Sequence, residues 1–542
     1  MTVTAVPRGV AVVVLFGLAA CSSTGSPTAT QSEPARQAPA ATGEPRDARS
    51  APRAESRDAQ VFESADYIVA APRSGDTPAT LAARYLGDAG KAWVIEDYAR
   101  EHGLTVADYV VIPRRDWNPV GVLPWGHQLV PVLVYHSIGP DRKGRLVLAA
   151  RTFEEQMRYL RAEGFHTVTL REFLDFAGGR RQLPRKSVLL AFDDGHSSFT
   201  RYARPVLKEL GFTATLFVYT DYIGTSASAL SWGELKRLLA EGFDVQAHGK
   251  THTDLRRRSG ESDASYARRM ESELAVPVAL FRRHLGRGSD TVAYPFGAAD
   301  AELTPLLVRY GYRAGFTVHR AGNPAFVSPL NVGRAQVYAE MTPAEFVRNV
   351  AVFRDEARRP YVGEDAAVRV EAARTATSSR ARIAAPYLER AETLAHQGHL
   401  RQAVEMRRVA LTVDPNDTAR AGLRELHTAI ERRVVALTKE GRRLLDRGVH
   451  PKARRQFLAA LALEPTNAKA FEALRDETRE VPSVTHTVQA GDTLASVADL
   501  YYGDQGRADV IAESNDLPAD AVLAAGRTLM VPEVPGVPFL PR

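Results

Sequence analysis

Between Leu129 and about Arg358 the chain alternates short β-branched, apolar runs with stretches whose apolar positions recur at helical spacing. Runs at Pro131–Tyr135, Ser187–Phe192, Thr213–Tyr219, Phe243–Ala247, Thr291–Tyr294 and Arg313–Thr317 read as strands. Capping boxes open the helices between them: Thr152 with Glu155, Thr169 with Glu172, Ser231 with Glu234, and Thr342 with Glu345, the last carrying Pro343 at the first helical position. This alternation predicts an α/β unit over residues 126–360. Its form would be a (β/α) barrel, distorted or incomplete, with functional residues at the carboxyl ends of parallel strands.

Residues 383–480 follow a helical period throughout and contain a repeat. Gly398, Ala403, Ala410, Leu411 and Pro415 recur at a constant offset as Gly448, Ala453, Ala460, Leu461 and Pro465. Small residues at these places suit close helix packing, and the Asp-Pro and Glu-Pro pairs end helices. The wide spacing of the repeat predicts an extra helix between its two copies. Two other stretches have no apolar period. Residues 21–62, rich in Ala, Pro, Ser, Thr and charge, read as a disordered tether, and residues 361–382 as a linker.

The apolar run Val10–Ala20 after Arg8 is too short for a permanent membrane span and reads as a signal peptide over residues 1–20. Its end, Leu18-Ala19-Ala20-Cys21, resembles the lipobox of bacterial lipoproteins, which implies lipidation of Cys21. Cys21 is the single cysteine in 542 residues, so no internal disulfide can form. The resemblance implies an exported chain anchored to membrane by lipid, and Ser22 and Ser23, with no Asp after the cysteine, point to the periplasmic face of the outer membrane in a Gram-negative cell. A net charge of +6 with dispersed arginines gives no reason to expect a nucleic-acid partner.

A second repeat brackets the chain. Gly75-Asp76-Thr77 precedes Tyr85-Leu86-Gly87-Asp88, and Gly491-Asp492-Thr493 precedes Tyr501-Tyr502-Gly503-Asp504 at the same offset. Each copy closes on an apolar run and proline, Val111-Ile112-Pro113 and Met530-Val531-Pro532. Both resemble LysM modules, small β-α-α-β units that bind N-acetylglucosamine-containing glycans, over residues 63–117 (divergent) and 484–533. In the second, the resemblance implies a glycan groove between Gly491, Asp492, Thr493 and the stretch Leu517–Ala524; the first is either a binder or a small fold without ligand. The helical repeat resembles tetratricopeptide hairpins and reads as a spacer or a docking surface for a protein partner.

Chemistry concentrates in the α/β block. Asp193 and Asp194 end the run Val188–Phe192, and alternation along a strand would point consecutive carboxylates differently. His248 and His252 follow another strand, and this spacing lets both imidazoles face one point if the segment turns helically. Two histidines and a carboxylate make a three-ligand metal site with a position left for water.

These residues carry a specific resemblance. Ala191-Phe192-Asp193-Asp194-Gly195, His248-Gly249-Lys250-Thr251-His252 and Ala293-Tyr294-Pro295-Phe296-Gly297 are similar, in order, to the three motifs of the NodB-homology polysaccharide deacetylases, carbohydrate esterase family four. The resemblance implies Asp194, His248 and His252 as ligands of a divalent metal, zinc foremost, and Asp193 as general base. It further implies the Phe296 backbone N–H as oxyanion donor, with Tyr294, Pro295 and Gly297 along the substrate groove. The activity implied is N-deacetylation of a GlcNAc-containing polysaccharide, peptidoglycan or poly-N-acetylglucosamine in type. A glycan-binding scaffold of weak activity and an O-acetyl esterase stand as alternatives. The chain departs from the pattern at Ala293, where relatives often carry an arginine that orients the base, and at Ala191, often Thr. Val332-Gly333-Arg334 stands where a Leu-x-His motif usually supplies the acid; His319 is the nearest histidine but lies earlier than expected, His136 at a strand end lines or supports the groove, and the proton donor is unassigned.

Overall fold

The computed structural model describes residues 60–104, 109–141, 143–355, 378–478, 483–515, 517, 518 and 520–532. Residues 1–20 read as a signal peptide, Cys21, most of the stretch read as a tether, and residues 361–377 of the stretch read as a linker lie outside them. At its centre is a sheet of parallel strands β1 (Val130–Tyr135), β2 (Ser187–Asp194), β3 (Thr215–Val218), β4 (Asp244–Ala247), β5 (Thr291–Ala293), β6 (Ala314–Phe316) and β7 (Ala335–Gln336). The hydrogen-bonded path runs β6-β5-β4-β3-β2-β1, and β7 adds in parallel to the free side of β1. On the opposite edge Val332 bridges Phe316 of β6. The segment from Pro329 to β7 therefore spans from β6 to β1. The result is a curled, incomplete barrel whose last position is an irregular segment rather than a full strand.

Alternation along β2 sorts its side chains into two cores. Val188, Leu190 and Phe192 pack outward with Phe153, Leu207 and Leu235 from the surrounding helices. Leu189 and Ala191 face inward with Val132, Val134, Phe217, Ala293 and Phe316. The capping boxes at Thr169, Ser231 and Thr342 form as their sequences require. The one at Thr152 does not. That helix starts at Ala150, so Thr152 lies inside its first turn and Ala149 caps it without a side-chain bond.

The first LysM-like module contains an additional strand. Val61–Glu63 pairs antiparallel with Tyr67–Ala70, which pairs with Val110–Pro113. The strand Val61–Glu63 begins inside the range 21–62 read as a tether. One face of this sheet, Ile68, Ala70, Val110 and Ile112, packs on its own helices through Leu81 and Ile95. The other, Tyr67, Val69 and Val111, packs against Ala403, Met406 and Ala410 of the helix Leu400–Val413. Arg401 of that helix is buried, bonding Glu101 at 2.8 Å, the Trp117 carbonyl at 3.2 Å and the Ala462 carbonyl at 2.9 Å.

The helical segment begins at Ser379, inside the range read as linker, because Ser378 caps the backbone N–H of Ala381. Between the repeat copies stands one continuous 30-residue helix, Asp417–Asp446, rather than an extra separate helix. Its neighbour His450–Leu463 buries Phe457 and Leu461 in the same core as Val120, Phe176 and Phe326 of the barrel. The C-terminal module pairs Ser483–Thr487 with Thr528–Pro532 around helices Leu494–Tyr502 and Ala508–Ser514, with a core of its own. Among the described residues no helix is long and apolar enough to cross a membrane.

Candidate active site

The barrel's inward and outward alternation decides where the two aspartates go. Asp193 continues the inward series of Leu189 and Ala191 and is 3% exposed. Asp194 should then point outward. It does not, because its φ of 73° turns the backbone at the strand's end. Both carboxylates consequently approach His248 Nε2, Asp193 Oδ2 at 3.8 Å and Asp194 Oδ1 at 3.7 Å. The alternation expected of consecutive strand residues is thus overridden by one left-handed residue.

The histidines converge by a related device. Residues 248–252 are not helical; Gly249 has φ of 78° and His252 of 59°, and the two rings meet edge to face at 4.8 Å. Glu273, buried behind this turn, accepts the backbone N–H of Lys250 at 2.8 Å and of Thr251 at 3.0 Å, and the Thr251 hydroxyl at 2.6 Å. Non-glycine residues with positive φ are, among the described residues, Asp194, His252 and Phe296, all at this site. Clustering of such strained backbone marks a functional site.

One donor atom from each of Asp194, His248 and His252 lies within 4.8 Å of the others. His248 Nδ1 is 2.7 Å from the Ala293 carbonyl, so that nitrogen carries the proton and Nε2 presents its lone pair. Burial pushes the His248 imidazole toward its neutral form, against the pull of Asp193 and Asp194. Asp194 Oδ1, buried without a hydrogen-bond partner, lies 3.4 Å from His252 Nε2. An orphaned carboxylate oxygen facing imidazole lone pairs is the donor set of a divalent cation, and these residues fit one.

Burial raises the Asp194 carboxyl, but the hydrogen bond from His196 and the charges of His248, His136 and His252 outweigh it and hold the group well below the usual carboxylate range. His196 was not singled out from sequence. Its Nε2 lies 3.3 Å from Asp194 Oδ2 and its Nδ1 3.3 Å from the Tyr222 hydroxyl. Asp193 is likewise driven up by burial and more strongly down by Arg334, His248 and His136. Arg334 stands in the sequence at the place of the absent Leu-x-His motif, with no local signal of a role at the site. It is fully buried and donates from Nη1 to Asp193 Oδ1 at 2.7 Å. His136 faces both aspartates electrostatically, and burial lowers its affinity for a proton. His319 is exposed after β6, and its carbonyl accepts the Arg334 N–H at 2.9 Å.

The third motif divides differently from expectation. Tyr294, Pro295 and Gly297 are buried, and the Tyr294 hydroxyl is committed to the Leu330 carbonyl at 2.8 Å, so these three shape the turn rather than line an open groove. Phe296 is the exposed member, 65% accessible, its ring 4.8 Å from that of His252. The Tyr219 ring also lies near His252, at 5.3 Å, and stacks on Tyr222.

In the C-terminal module the Gly-Asp-Thr motif builds a turn. Asp492 accepts the Gln489 N–H at 2.7 Å and faces His486 Nε2 at 2.9 Å, while Thr493 caps the helix in a box with Ser496. Gly491 has φ of 93° with open space beside it. In the first module Thr77 forms the same box with Thr80, and Asp76 is held by Arg84 instead of a histidine.

Comparison with known proteins places family matches on these two regions. Residues 180–315 match the polysaccharide deacetylase family and residues 486–532 the LysM domain. The Bacillus subtilis (strain 168) protein YxkH, which carries a polysaccharide deacetylase designation, is 28% identical over 188 residues, 35% of this chain and 64% of that protein. The poly-β-1,6-N-acetyl-D-glucosamine N-deacetylase of Staphylococcus aureus (strain MRSA252) is 26% identical over 173 residues, 31% of this chain and 59% of the relative. The chain thus spans roughly three fifths of the length of these curated relatives. The solved structure of IcaB from Ammonifex degensii aligns at 29% identity and a TM-score of 0.37, over 41% of this chain and 96% of that one. The paired aspartates, the two histidines and the turn at Phe296 all fall within the matched segment, and the chain accordingly carries a polysaccharide deacetylase domain and, toward its C-terminus, a LysM domain.

Proposed function

We propose that this chain is an exported, lipid-anchored, metal-dependent N-deacetylase of an N-acetylated amino-sugar polysaccharide in the bacterial envelope. The observation that carries the reading is the convergence of Asp194, His248 and His252 beside the buried, ionised Asp193, within the segment matching the deacetylase family. In this reading Asp194, His248 and His252 hold a divalent cation, zinc foremost, which when bound supplies Lewis acidity toward a water and an acetamide carbonyl. Asp193 takes a proton from the attacking water as the new C–O bond forms. The Phe296 backbone N–H donates to the oxygen on which negative charge develops. As the C–N bond breaks, the leaving nitrogen takes the proton that Asp193 accepted from the water, which yields acetate and a free amine on the sugar and returns Asp193 to its ionised form.

The C-terminal LysM domain would hold the enzyme on a GlcNAc-containing polymer, raising local substrate concentration without changing the chemistry. Poly-N-acetylglucosamine and peptidoglycan are the polymers to test first, the former because the Staphylococcus relative is named for it. The test is free acetate released by the metal-loaded chain from these glycans and from O-acetylated polymers. Release from the N-acetylated glycans alone supports the reading. Release from O-acetylated polymer alone would replace it with an esterase, and release from none would leave a glycan-binding scaffold.

A further inference from the structure

Asp193 has two carboxylate oxygens, and the barrel treats them differently. Oδ1 accepts from Arg334 Nη1 at 2.7 Å, while Oδ2 is the oxygen 3.8 Å from His248 Nε2, on the side of the ligand cluster. The guanidinium is fixed independently of Asp193. Its Nε donates to the Thr317 carbonyl at 2.7 Å, and its carbon lies 5.6 Å over the Phe217 ring. Arg334 enters on the irregular segment between Val332 and β7 that runs from β6 to β1, so its position is set by backbone bonds to both strands.

We propose that Arg334 is the positioning residue for Asp193: it occupies Oδ1, fixes the carboxylate plane, and leaves Oδ2 as the oxygen that takes the proton of the attacking water. The assignment rests on Asp193 being the general base. Arg334 itself touches no reacting atom; it acts through Asp193. A buried carboxylate without a fixed partner would rotate or bind a proton, and either change removes the base from its working geometry.

The test is a double-mutant cycle of Arg334→Met and Asp193→Asn on the whole chain, with kcat, KM and metal content measured on soluble N-acetylglucosamine oligomers. Arg334→Met is expected to lower kcat about 10- to 100-fold, with KM and metal content within about twofold of wild type. Arg334→Lys, which keeps the charge but not the two directed bonds, should recover part of that loss. In the Asp193→Asn background Arg334→Met should cost nothing further. The double variant carries no unpaired buried charge, so this comparison with Asp193→Asn stands even where Arg334→Met alone fails to fold. An equal further loss in the Asn background, or wild-type kcat in Arg334→Met, overturns the positioning role. Wild-type turnover in Asp193→Asn instead overturns the base assignment and the positioning role with it, so the two failures are told apart.

Discussion

A single backbone angle decides whether the two aspartates can cooperate. Were Asp194 in ordinary strand geometry, its carboxylate would join Phe192 in the outer core; its φ of 73° brings it beside Asp193. The turn carrying His248 and His252 depends in the same way on Glu273, which satisfies two backbone donors and a hydroxyl from behind. Glu273→Ala is expected to destabilise the fold by about 3 kcal/mol, the worth of removing a buried charged acceptor, and to weaken metal binding about 10- to 100-fold. Urea denaturation and metal titration of the same preparation check both. Glu273→Gln, keeping one acceptor, should fall between. The aspartate and histidine pairs were legible in the sequence because each is a local motif at a strand end. Arg334 and Glu273 were not, since their partners lie far along the chain and only the folded, curled sheet brings them together.

At the scale of elements, the Tyr294 ring, just after β5, lies so close over residue 315 of β6 that only glycine fits there. A Cβ there would stand 2.0 Å from the Tyr294 hydroxyl oxygen. Gly315→Ala should therefore displace Tyr294 from the Leu330 carbonyl and cost about 1–3 kcal/mol. The measurement is the urea midpoint, with lowered turnover as the accompanying sign that the Phe296 turn has moved. A second contact between elements titrates. Burial pushes the Glu405 carboxyl up to about 7 from 4.5, with Asp66 adding to the rise and Arg408 opposing it. Glu405 accepts a hydrogen bond from Tyr67 across the junction of the first module and the helix Leu400–Val413. A folded value above the unfolded one means that the contribution of Glu405 to stability is fully present below about pH 4.5 and is lost progressively as pH rises to about 7. Glu405→Gln should abolish that slope and raise stability at pH 8 by up to about 3 kcal/mol, read from urea midpoints across pH. Strands β1 to β6 were legible to within two residues at each end, whereas β7, two residues long, carries no apolar run that marks it. The helix start at Ala150 was not, because a capping-box sequence at Thr152 is available but the chain enters the helix earlier. The Asp417–Asp446 helix was read as more than one, since its length exceeds what the repeat period shows.

Across the whole molecule, the barrel, the first module and the helical segment share buried cores, whereas the C-terminal LysM domain keeps its own. Removing residues 483–532 should consequently leave turnover on soluble oligomers unchanged and lower acetate release from insoluble peptidoglycan or chitin; equal activity on both would remove this domain as the targeting element. On the lipid-anchor proposal, Cys21→Ser should leave activity intact and move the protein from membrane to soluble fractions, because acyl chains and not the fold would hold it there. The C-terminal LysM-like copy was legible as the clearer repeat and the first as a divergent one, but not that the outer sheet face of the first is covered by helix Leu400–Val413. The central claim is that adjacent carboxylates do different work, Asp194 holding metal and Asp193 moving a proton. It is tested most directly by metal content and acetate release on matched preparations of Asp194→Ala and Asp193→Asn. Asp194→Ala should lose metal and activity together. Asp193→Asn should keep metal near wild type while turnover falls by about two to four orders of magnitude. Equal loss of metal in both variants, or full activity in either, would contradict the account.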